Sequence, residues 1–373
     1  MLNKVLIFGV DSFTGFYLKQ KLISEKFDVI GTSLLKESEY FCDITSKSNC
    51  IDIIKKTQPN YLINLAGVSF VPNSDLEKMY KVNLLGPLNI MESLVQTNVN
   101  PINILFASSA QLYNYCDGEM ISEKSNICSV NHYSNSKMSM EKMLDFYKTD
   151  FNINILRPFN YTGLGQNDNF IVPKIVSHFK NKKTKIHLGD IDVSRDFSDV
   201  RDVVDAYFRV MKYSLNSEYF NICSGKSICI SDLLEMVSNI TNHSLEIVQD
   251  ESFKRKNLIK HLLGDNSKLK SIGWNPFFTN FNDTLTLTQN EDGVDGNTTI
   301  TNNLSNTTVN NFAGGNSGLT FEHSGSAIQA GDKQMKIKKI YHYQPAAINR
   351  YFDPYAGTGT GIQSLMQAFG FGN

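Results

Sequence analysis

The feature that most constrains this chain is a regular alternation through its first 160 residues. Short apolar, β-rich runs ("KVLIFGV", "FDVIGTS", "YLINLAG", "INILFASS", "INILRPF") alternate with segments of helical period at 15–26, 46–57, 75–97 and 133–149. The runs are short, bounded by turn residues and separated by helices, the pattern of strands that pair in parallel through crossover connections. The expectation is an α/β fold with a doubly wound parallel sheet. Ligands on such sheets sit beyond the carboxyl ends of the strands, so the residues that follow each run are site candidates.

After residue 160 the alternation gives way to loops, a charged stretch "GDIDVSRDFSDVRDVVDAY" and shorter elements up to "LKSIGWNPFFTNFNDTLTLT". This predicts a core over about 1–160 and a smaller C-terminal lobe, mostly 161–288, laid over the sheet's carboxyl edge. From 289 to 373 the composition turns to Asn, Thr, Gly and Ser, a tail that is either disordered or β-structured and dependent on self-association. With 36 basic against 37 acidic residues there is no overall field to attract nucleic acid, and "FKNKKTKIH" reads as a solvated helix end. No segment approaches the ~20 apolar residues of a membrane span. The N-terminal apolar run is short and meets Asp11 without a long leader-like stretch, so a cytoplasmic protein with no nucleic-acid or membrane partner is expected. Six scattered cysteines without a Cys-x-x-Cys read as reduced, mostly buried thiols, and no metal is expected.

"VLIFGVDSFTGFYLKQKL" runs strand, turn, helix, with Gly9, Ser12 and Gly15 at the spacing of a dinucleotide-binding turn of the Rossmann type. In that turn glycines allow close backbone approach to a pyrophosphate, while the helix N-terminus supplies amide donors, and Phe13, next to Ser12, is counted with the cofactor contacts. Ser12 stands where the middle glycine is usual, and either donates its hydroxyl to the phosphate or loosens the site. An NAD-preferring sheet usually ends its second strand on Asp or Glu, to hold the ribose 2′-hydroxyl. Here Ser33 takes that place with Lys36 nearby, which favours NADP(H) over NAD(H). Asp43 in "FCDIT", followed by Ile44, is read as an adenine contact or a turn-capping aspartate.

Tyr133 and Lys137, four apart in "NHYSNSKMSMEK", lie on one face of a predicted helix. The spacing alone means little: with 16 Tyr and 30 Lys, a shuffled chain gives about 1.3 such pairs, and Tyr17 and Lys21 make a second. Tyr133 differs because Ser109, at the end of "INILFASS", can face the same cleft. The ammonium of Lys137 is expected to bias the Tyr133 phenol toward ionisation and so make a usable acid and base.

With these residues in place, the chain over about 3–288 resembles the extended short-chain dehydrogenase/reductases. The resemblance rests on the Gly9 loop, "NLAG" (Asn64, Leu65, Ala66, Gly67), "VNLLG" with Asn83, "SSAQLY" and "YSNSK". Further motifs ("RPFNYTGLGQ", "FIVPKI", "GDIDVSRDFSDVRDVVDAY", "NICSGKS", "GDNSKLKSIGWNP") are similar to the branch acting on GDP-mannose derivatives, nearest to its GDP-4-keto-6-deoxy-mannose reductases. The resemblance implies that Tyr133 protonates a carbonyl oxygen, Ser109 orients it, and Lys137 holds the nicotinamide ribose. It places Leu65, Ala66 and Gly67 on the cofactor, and Gln111, Asn160, Arg195 and Arg255 on the GDP-sugar. At 256 this chain has Lys where the family often has Pro, which makes Arg255 the less secure of the two arginines. Related dehydratases carry Glu at the Gln111 position, and one epimerising reductase type carries Cys. Gln has no group that ionises near neutral pH, so the resemblance implies reduction of a 4-keto-6-deoxyhexose rather than 4,6-dehydration. A sugar-nucleotide-binding protein without catalysis is the remaining alternative. By the same resemblance the 75–97 and 133–149 helices pair with their symmetry mates in a homodimer.

Overall fold

Val5, Leu6, Ile7 and Phe8 are all fully buried, because the strand that carries them lies inside a sheet with helices on both faces. A computed structural model describes residues 2–35, 40–69, 75–113, 120–214, 216–250, 260–289, 307–309 and 321–323. β1 (Lys4–Phe8) leads into α1 (Phe13–Ser24), β2 (Asp28–Thr32), α2 (Lys47–Thr57), β3 (Tyr61–Asn64), α3 (Leu76–Tyr80), a π-helical turn (Lys81–Leu85), α4 (Gly86–Thr97), β4 (Asn103–Ala107), α5 (His132–Asp145) and β5 (Ile153–Pro158). Then come β6 (Asn160–Thr162), α6 (Ile171–Lys180), β7 (Lys185–Leu188), β8 (Ser194–Asp199), α7 (Val200–Tyr213), β9 (Tyr219–Ile222), β10 (Ser227–Cys229), α8 (Ile230–Thr241), β11 (Glu246–Gln249), β12 (His261–Leu262), α9 (Ser267–Ser271) and α10 (Phe281–Gln289).

The main sheet has the order β2-β1-β3-β4-β5-β9 and is parallel throughout. Alternate side chains of each strand enter opposite cores. Val5, Ile7, Ile63, Leu105 and Leu156 pack with α1 and α7, while Leu6, Phe8, Leu62, Ile104 and Phe106 pack with α2, α4 and α5. The five expected strands and the helices between them are all present. The chain also returns to the sheet after residue 160, through α7 and the sixth strand β9, so the core does not close where the alternation weakens. The order reverses at β1, which has β2 on one side and β3 on the other. The carboxyl ends of β1 and β3 therefore flank the crevice where such sheets bind ligands.

The lobe is built on a small sheet in which β8 pairs with β10, β12 and β6, beside the β7–β11 pair, with α6, α8 and Phe281 of α10 around its own core. The Lys-rich patch falls on the end of α6 and the start of β7. The chain divides into compact units Met1–Leu285 and Thr286–Asn373, close to the compositional change near 289. In the second unit, past the end of α10, the described residues form an antiparallel strand pair, Thr307–Val309 with Phe321–His323. Among the described residues five cysteines are free thiols, three of them buried, and no helix is long and apolar enough to cross a membrane.

Candidate active site

The first loop is shaped by two glycines and one serine. Gly9 takes a left-handed φ of +81°, and a Cβ there would stand 2.9 Å from Ala66 N. A Cβ on Gly15 would stand 2.4 Å from Gly9 O, which no neighbour could relieve. Ser12 caps α1 by accepting from Gly15 N at 3.0 Å, and its hydroxyl donates to Gly9 O at 2.7 Å. Its one proton thus closes the loop on itself. The serine neither aims a donor at a phosphate nor loosens the turn. Phe13 stacks on Tyr161 of β6, and Tyr161 shares a 2.8 Å hydrogen bond with Thr14. The first turn of α1 is therefore held at the β1/β3 crevice. Glycines whose Cβ would fill the crevice, together with a helix N-terminus aimed at it, fit a dinucleotide pyrophosphate.

Leu65, Ala66 and Gly67 follow β3 along the other side of the crevice, Leu65 N donating to Phe8 O at 3.0 Å. Gly67 leads toward the catalytic groups, since a Cβ on it would lie 3.4 Å from Lys137 Nζ and 3.3 Å from Asn83 Oδ1. At the far end, Ser33 is buried just past β2, donates to Asp11 Oδ2 at 2.6 Å and accepts from Leu35 N at 3.0 Å. Asp43 Oδ1 accepts from Thr45 N and Oγ1 at 2.9 and 2.8 Å, the turn-capping role. Ile44 is buried, and a Cβ on Gly86 would meet its side chain at 2.4 Å. Lys36 lies outside the described residues.

Ser109 and Tyr133 hydrogen-bond to each other, and Lys137 lies one turn further along the same helix. Ser109 ends the β4 segment and caps the 3-10 turn Ala110–Leu112 by accepting from Gln111 N at 3.2 Å. Tyr133 opens α5, whose N-terminus is fixed by a capping box between Asn131 and Ser134. Burial pushes the Tyr133 phenol up to about 12, with its Ser109 hydrogen bond acting downward and Tyr161 upward. The expectation that Lys137 would draw this phenol toward ionisation is corrected: burial dominates, and Tyr133 is a protonated acid at physiological pH. Lys137 is nearly inaccessible, donates to Ala107 O at 2.8 Å, and is brought down to about 8 by burial while Glu141 pulls it upward.

Behind this pair lies a charged network that the motifs did not reveal. Glu141, one turn beyond Lys137, accepts from Ser108 Oγ at 2.6 Å and from Arg157 Nε and Nη2 at 2.9 and 2.6 Å. Arg157 Nη1 donates to Tyr113 Oη at 3.0 Å, and Tyr113 in turn donates to Asn221 on β9. Glu141 and Arg157 are almost fully buried. They bind together β4, α5 and β5 directly beneath the reacting groups. A second tie is Asn83, set in the π-helical turn, which exchanges hydrogen bonds with Val68 N and O and donates to Ser136 Oγ at 3.1 Å. The sequence did carry signals for the network: a Glu four residues past Lys137 on a face that must be buried, and an Arg inside the apolar run "INILRPF".

The lobe supplies the remaining candidates. Asn160 on β6 donates to Asp196 O at 3.4 Å, and Arg195 on β8 donates to Ser194 O and Lys260 O at 2.8 and 3.3 Å. Buried Asp196 collects Ser224 N, Gly225 N and Gly264 N, so "NICSGKS" and "LLGD" converge on the strand that carries Arg195. Gln111 is half-buried in the 3-10 turn beside Ser109. Arg255 lies outside the described residues.

A doubly wound sheet with a dinucleotide crevice and a Ser-Tyr-Lys set at its mouth defines an NAD(P)-dependent oxidoreductase. The chain belongs to the NAD dependent epimerase/dehydratase family, whose sequence model matches residues 5–223. It is 35% identical over 278 residues, covering 74% of this chain and 92% of the relative, to the GDP-6-deoxy-D-talose 4-dehydrogenase of Aggregatibacter actinomycetemcomitans. It is 31% identical over 233 residues, 59% of this chain and 76% of the relative, to the GDP-6-deoxy-D-mannose reductase of Pseudomonas aeruginosa. Among solved structures, RMD from Pseudomonas aeruginosa complexed with NADPH superposes with a TM-score of 0.69 at 28% identity, covering 77% of this chain and 97% of that one. A putative epimerase from Burkholderia cenocepacia J2315 does so with a TM-score of 0.71 at 30% identity, over 77% and 96%.

Proposed function

We propose that the protein reduces the 4-keto group of a GDP-4-keto-6-deoxyhexose, a GDP-4-dehydro-6-deoxy-mannose reductase activity with NADPH or NADH as hydride source. The observation that carries this reading is Tyr133 hydrogen-bonded to Ser109 and one helical turn from Lys137, with the amide of Gln111 in the neighbouring turn where a dehydratase would need a carboxylate base. Bound cofactor supplies the hydride. Tyr133 gives its proton to the C4 oxygen, Ser109 fixes that oxygen, and Lys137 holds positive charge at the base of the site and returns Tyr133 to its protonated form. Asn160 and Arg195 are the side chains proposed to meet the GDP-sugar, Arg195 through the guanidinium geometry that suits phosphate oxygens. The two GDP-deoxysugar relatives support the substrate class. Their names differ in the configuration at C4, so product configuration is the finer question. Exposed Val95 on α4 (55%) and Phe146 at the end of α5 (82%) support a homodimer through those helices, which light scattering tests as a dimer mass at micromolar concentration.

The test is incubation with GDP-mannose and, separately, with GDP-4-keto-6-deoxy-mannose, each with and without reduced cofactor. Stoichiometric cofactor oxidation with the keto sugar alone is expected, followed by assignment of the C4 configuration from proton couplings. Conversion of GDP-mannose to the 4-keto-6-deoxy product without added reductant would replace this reading with a 4,6-dehydratase. Gln111→Glu is expected to add at most a trace of that activity, because a base acts only within hydrogen-bond reach of a correctly placed proton.

A further inference from the structure

We propose that Ser108 is a positioning residue for the reduction, its hydroxyl fixing the strand end that presents Ser109 to Tyr133. Three consecutive residues at the end of β4 are each tied to a different turn of α5. Lys137 Nζ donates to Ala107 O at 2.8 Å, Ser108 Oγ donates to Glu141 Oε1 at 2.6 Å, and Ser109 shares a hydrogen bond with Tyr133. Tyr133, Lys137 and Glu141 follow one another at intervals of four residues, so they form a single stripe along the helix. Strand end and helix are thus fastened like a short ladder. Two of its rungs are made by the Tyr133 and Lys137 side chains themselves. The third, Ser108 with Glu141, is spent wholly on alignment.

That rung is anchored at both ends. On the strand side, Ser108 N donates to Leu156 O at 2.7 Å and holds the segment to β5. On the helix side the carboxylate cannot turn away, because Arg157 Nε donates to the same Oε1 at 2.9 Å and Nη2 donates to Oε2 at 2.6 Å. Ser108, Glu141 and Arg157 are all buried, so solvent does not compete for these bonds. Ser109 is the next residue along this fixed backbone, and it reaches the 3-10 turn by accepting from Gln111 N. An acid and the group that orients its acceptor work only in a near-attack geometry, where a displacement of about 1 Å can cost on the order of 10² in rate. Deleting the Ser108 hydroxyl releases the strand end from Glu141 while every group that touches the substrate remains. The inference rests on the proposed reduction for the role of Tyr133, and on the hydrogen bonds alone for the link from Ser108 to Ser109.

The test has a kinetic arm and an arm that needs no sugar. Full-length wild type, Ser108→Ala, Ser108→Thr and Ser108→Val are assayed with GDP-4-keto-6-deoxy-mannose, and their cofactor affinity is titrated with NADPH by nicotinamide fluorescence. Thr and Val have the same shape and differ in the hydroxyl, so their comparison removes the effect of the added methyl groups. Ser108→Ala and Ser108→Val should lose kcat by on the order of tenfold to a hundredfold, with KM and cofactor affinity nearly unchanged, and Ser108→Thr should recover most of the loss. In the second arm the same proteins carry tyrosine labelled with 13C at Cζ, the Tyr133 resonance being assigned by its disappearance in Tyr133→Phe. That resonance should move in Ser108→Ala toward its position in Ser109→Ala, where the hydrogen bond is gone, and should stay near the wild-type position in Ser108→Thr. An unmoved Tyr133 resonance in Ser108→Ala overturns the proposal, as does wild-type kcat in that variant. So do equal losses in the Thr and Val proteins, and a parallel fall in cofactor affinity, which marks a general structural defect. Wild type that reduces no GDP-sugar would sink the proposed substrate, while the Tyr133 resonance would still decide this inference.

Discussion

Two helices of this molecule carry the same four-residue spacing of tyrosine and lysine, and their surroundings give the two pairs opposite characters. On α1, the Tyr17 hydroxyl donates to Leu164 O at 2.8 Å, and Lys21 sits at the surface between Glu25 and Asp205, 2.9 and 2.8 Å away. Burial acts to lower Lys21, but the two carboxylates more than offset it and its pKa is raised. On α5, Tyr133 meets Ser109, and Lys137 is buried against a backbone carbonyl with its pKa brought down to about 8. One lysine is an ordinary surface ion pair. The other is poised to change charge within the working pH range. A helix sets which side chains share a face, while the elements packed against that face decide what they can do.

The sharpest way to break the comparison is to remove each phenol. Tyr133→Phe should lower turnover by a factor on the order of 10² to 10⁴, the usual worth of a positioned acid, with cofactor affinity nearly unchanged. Steady-state rates and a binding titration on one preparation check this, and equal losses at Tyr17 would remove the ground for preferring Tyr133. Next in size is Glu141→Gln, which leaves Arg157 buried without its anion. Breaking such a pair costs on the order of 3–5 kcal/mol, read as a lowered denaturant midpoint. Because Glu141 is also the charge that raises Lys137, the same variant should shift the catalytic pH profile.

The pH dependence itself has a definite sign. Lys137 keeps its ammonium below about 8 and loses it above, so wild-type kcat/KM should fall by about tenfold per unit beyond that point. Tyr133, at about 12, stays protonated through this range and cannot be the source of that limb. Stability moves the other way. The lowered folded-state pKa means that the unfolded chain holds the extra proton between about 8 and 10.5, so Lys137's contribution to stability rises with pH across that window. In Glu141→Gln the activity limb should lie at lower pH. A limb that stays in place would show that Glu141 acts only as structural support.

What the sequence made legible follows from the range of the interactions involved. The five strands could be read because each is a short apolar run between turn residues, a local property of composition. Gly9 and Gly15 could be read because their roles depend on neighbours three to six residues away, and Tyr133 and Lys137 because Ser109 follows one of those legible strands. β9 escaped notice because "YFNI" stands apart from the strand–helix alternation, and its Asn221 is satisfied by Tyr113, Ile121 and Glu123, about 100 residues earlier. The Glu141–Arg157 pair and the Asp11–Ser33 contact were missed for a related reason. In each, a polar side chain is satisfied by a partner on another element, and nothing in its immediate sequence shows whether it ends buried or solvated.

The smallest effect is the most informative control. Tyr17→Phe deletes one hydroxyl whose role visible in the fold is to hold the 163–166 turn through Leu164 O. Such a bond contributes about 0.5–1.5 kcal/mol net, and the ring itself, which packs edge-on against Phe13, is retained. The expected result is a slightly lower unfolding midpoint with kcat unchanged. Phe13 on α1 nevertheless stacks on Tyr161 of β6, which acts on the Tyr133 phenol. A Tyr17→Phe protein with normal stability but a displaced pH profile would therefore show that the two pairs are coupled through the Phe13–Tyr161 stack. The contrast between them would then be one of degree, with α1 helping to set the environment of the acid on α5.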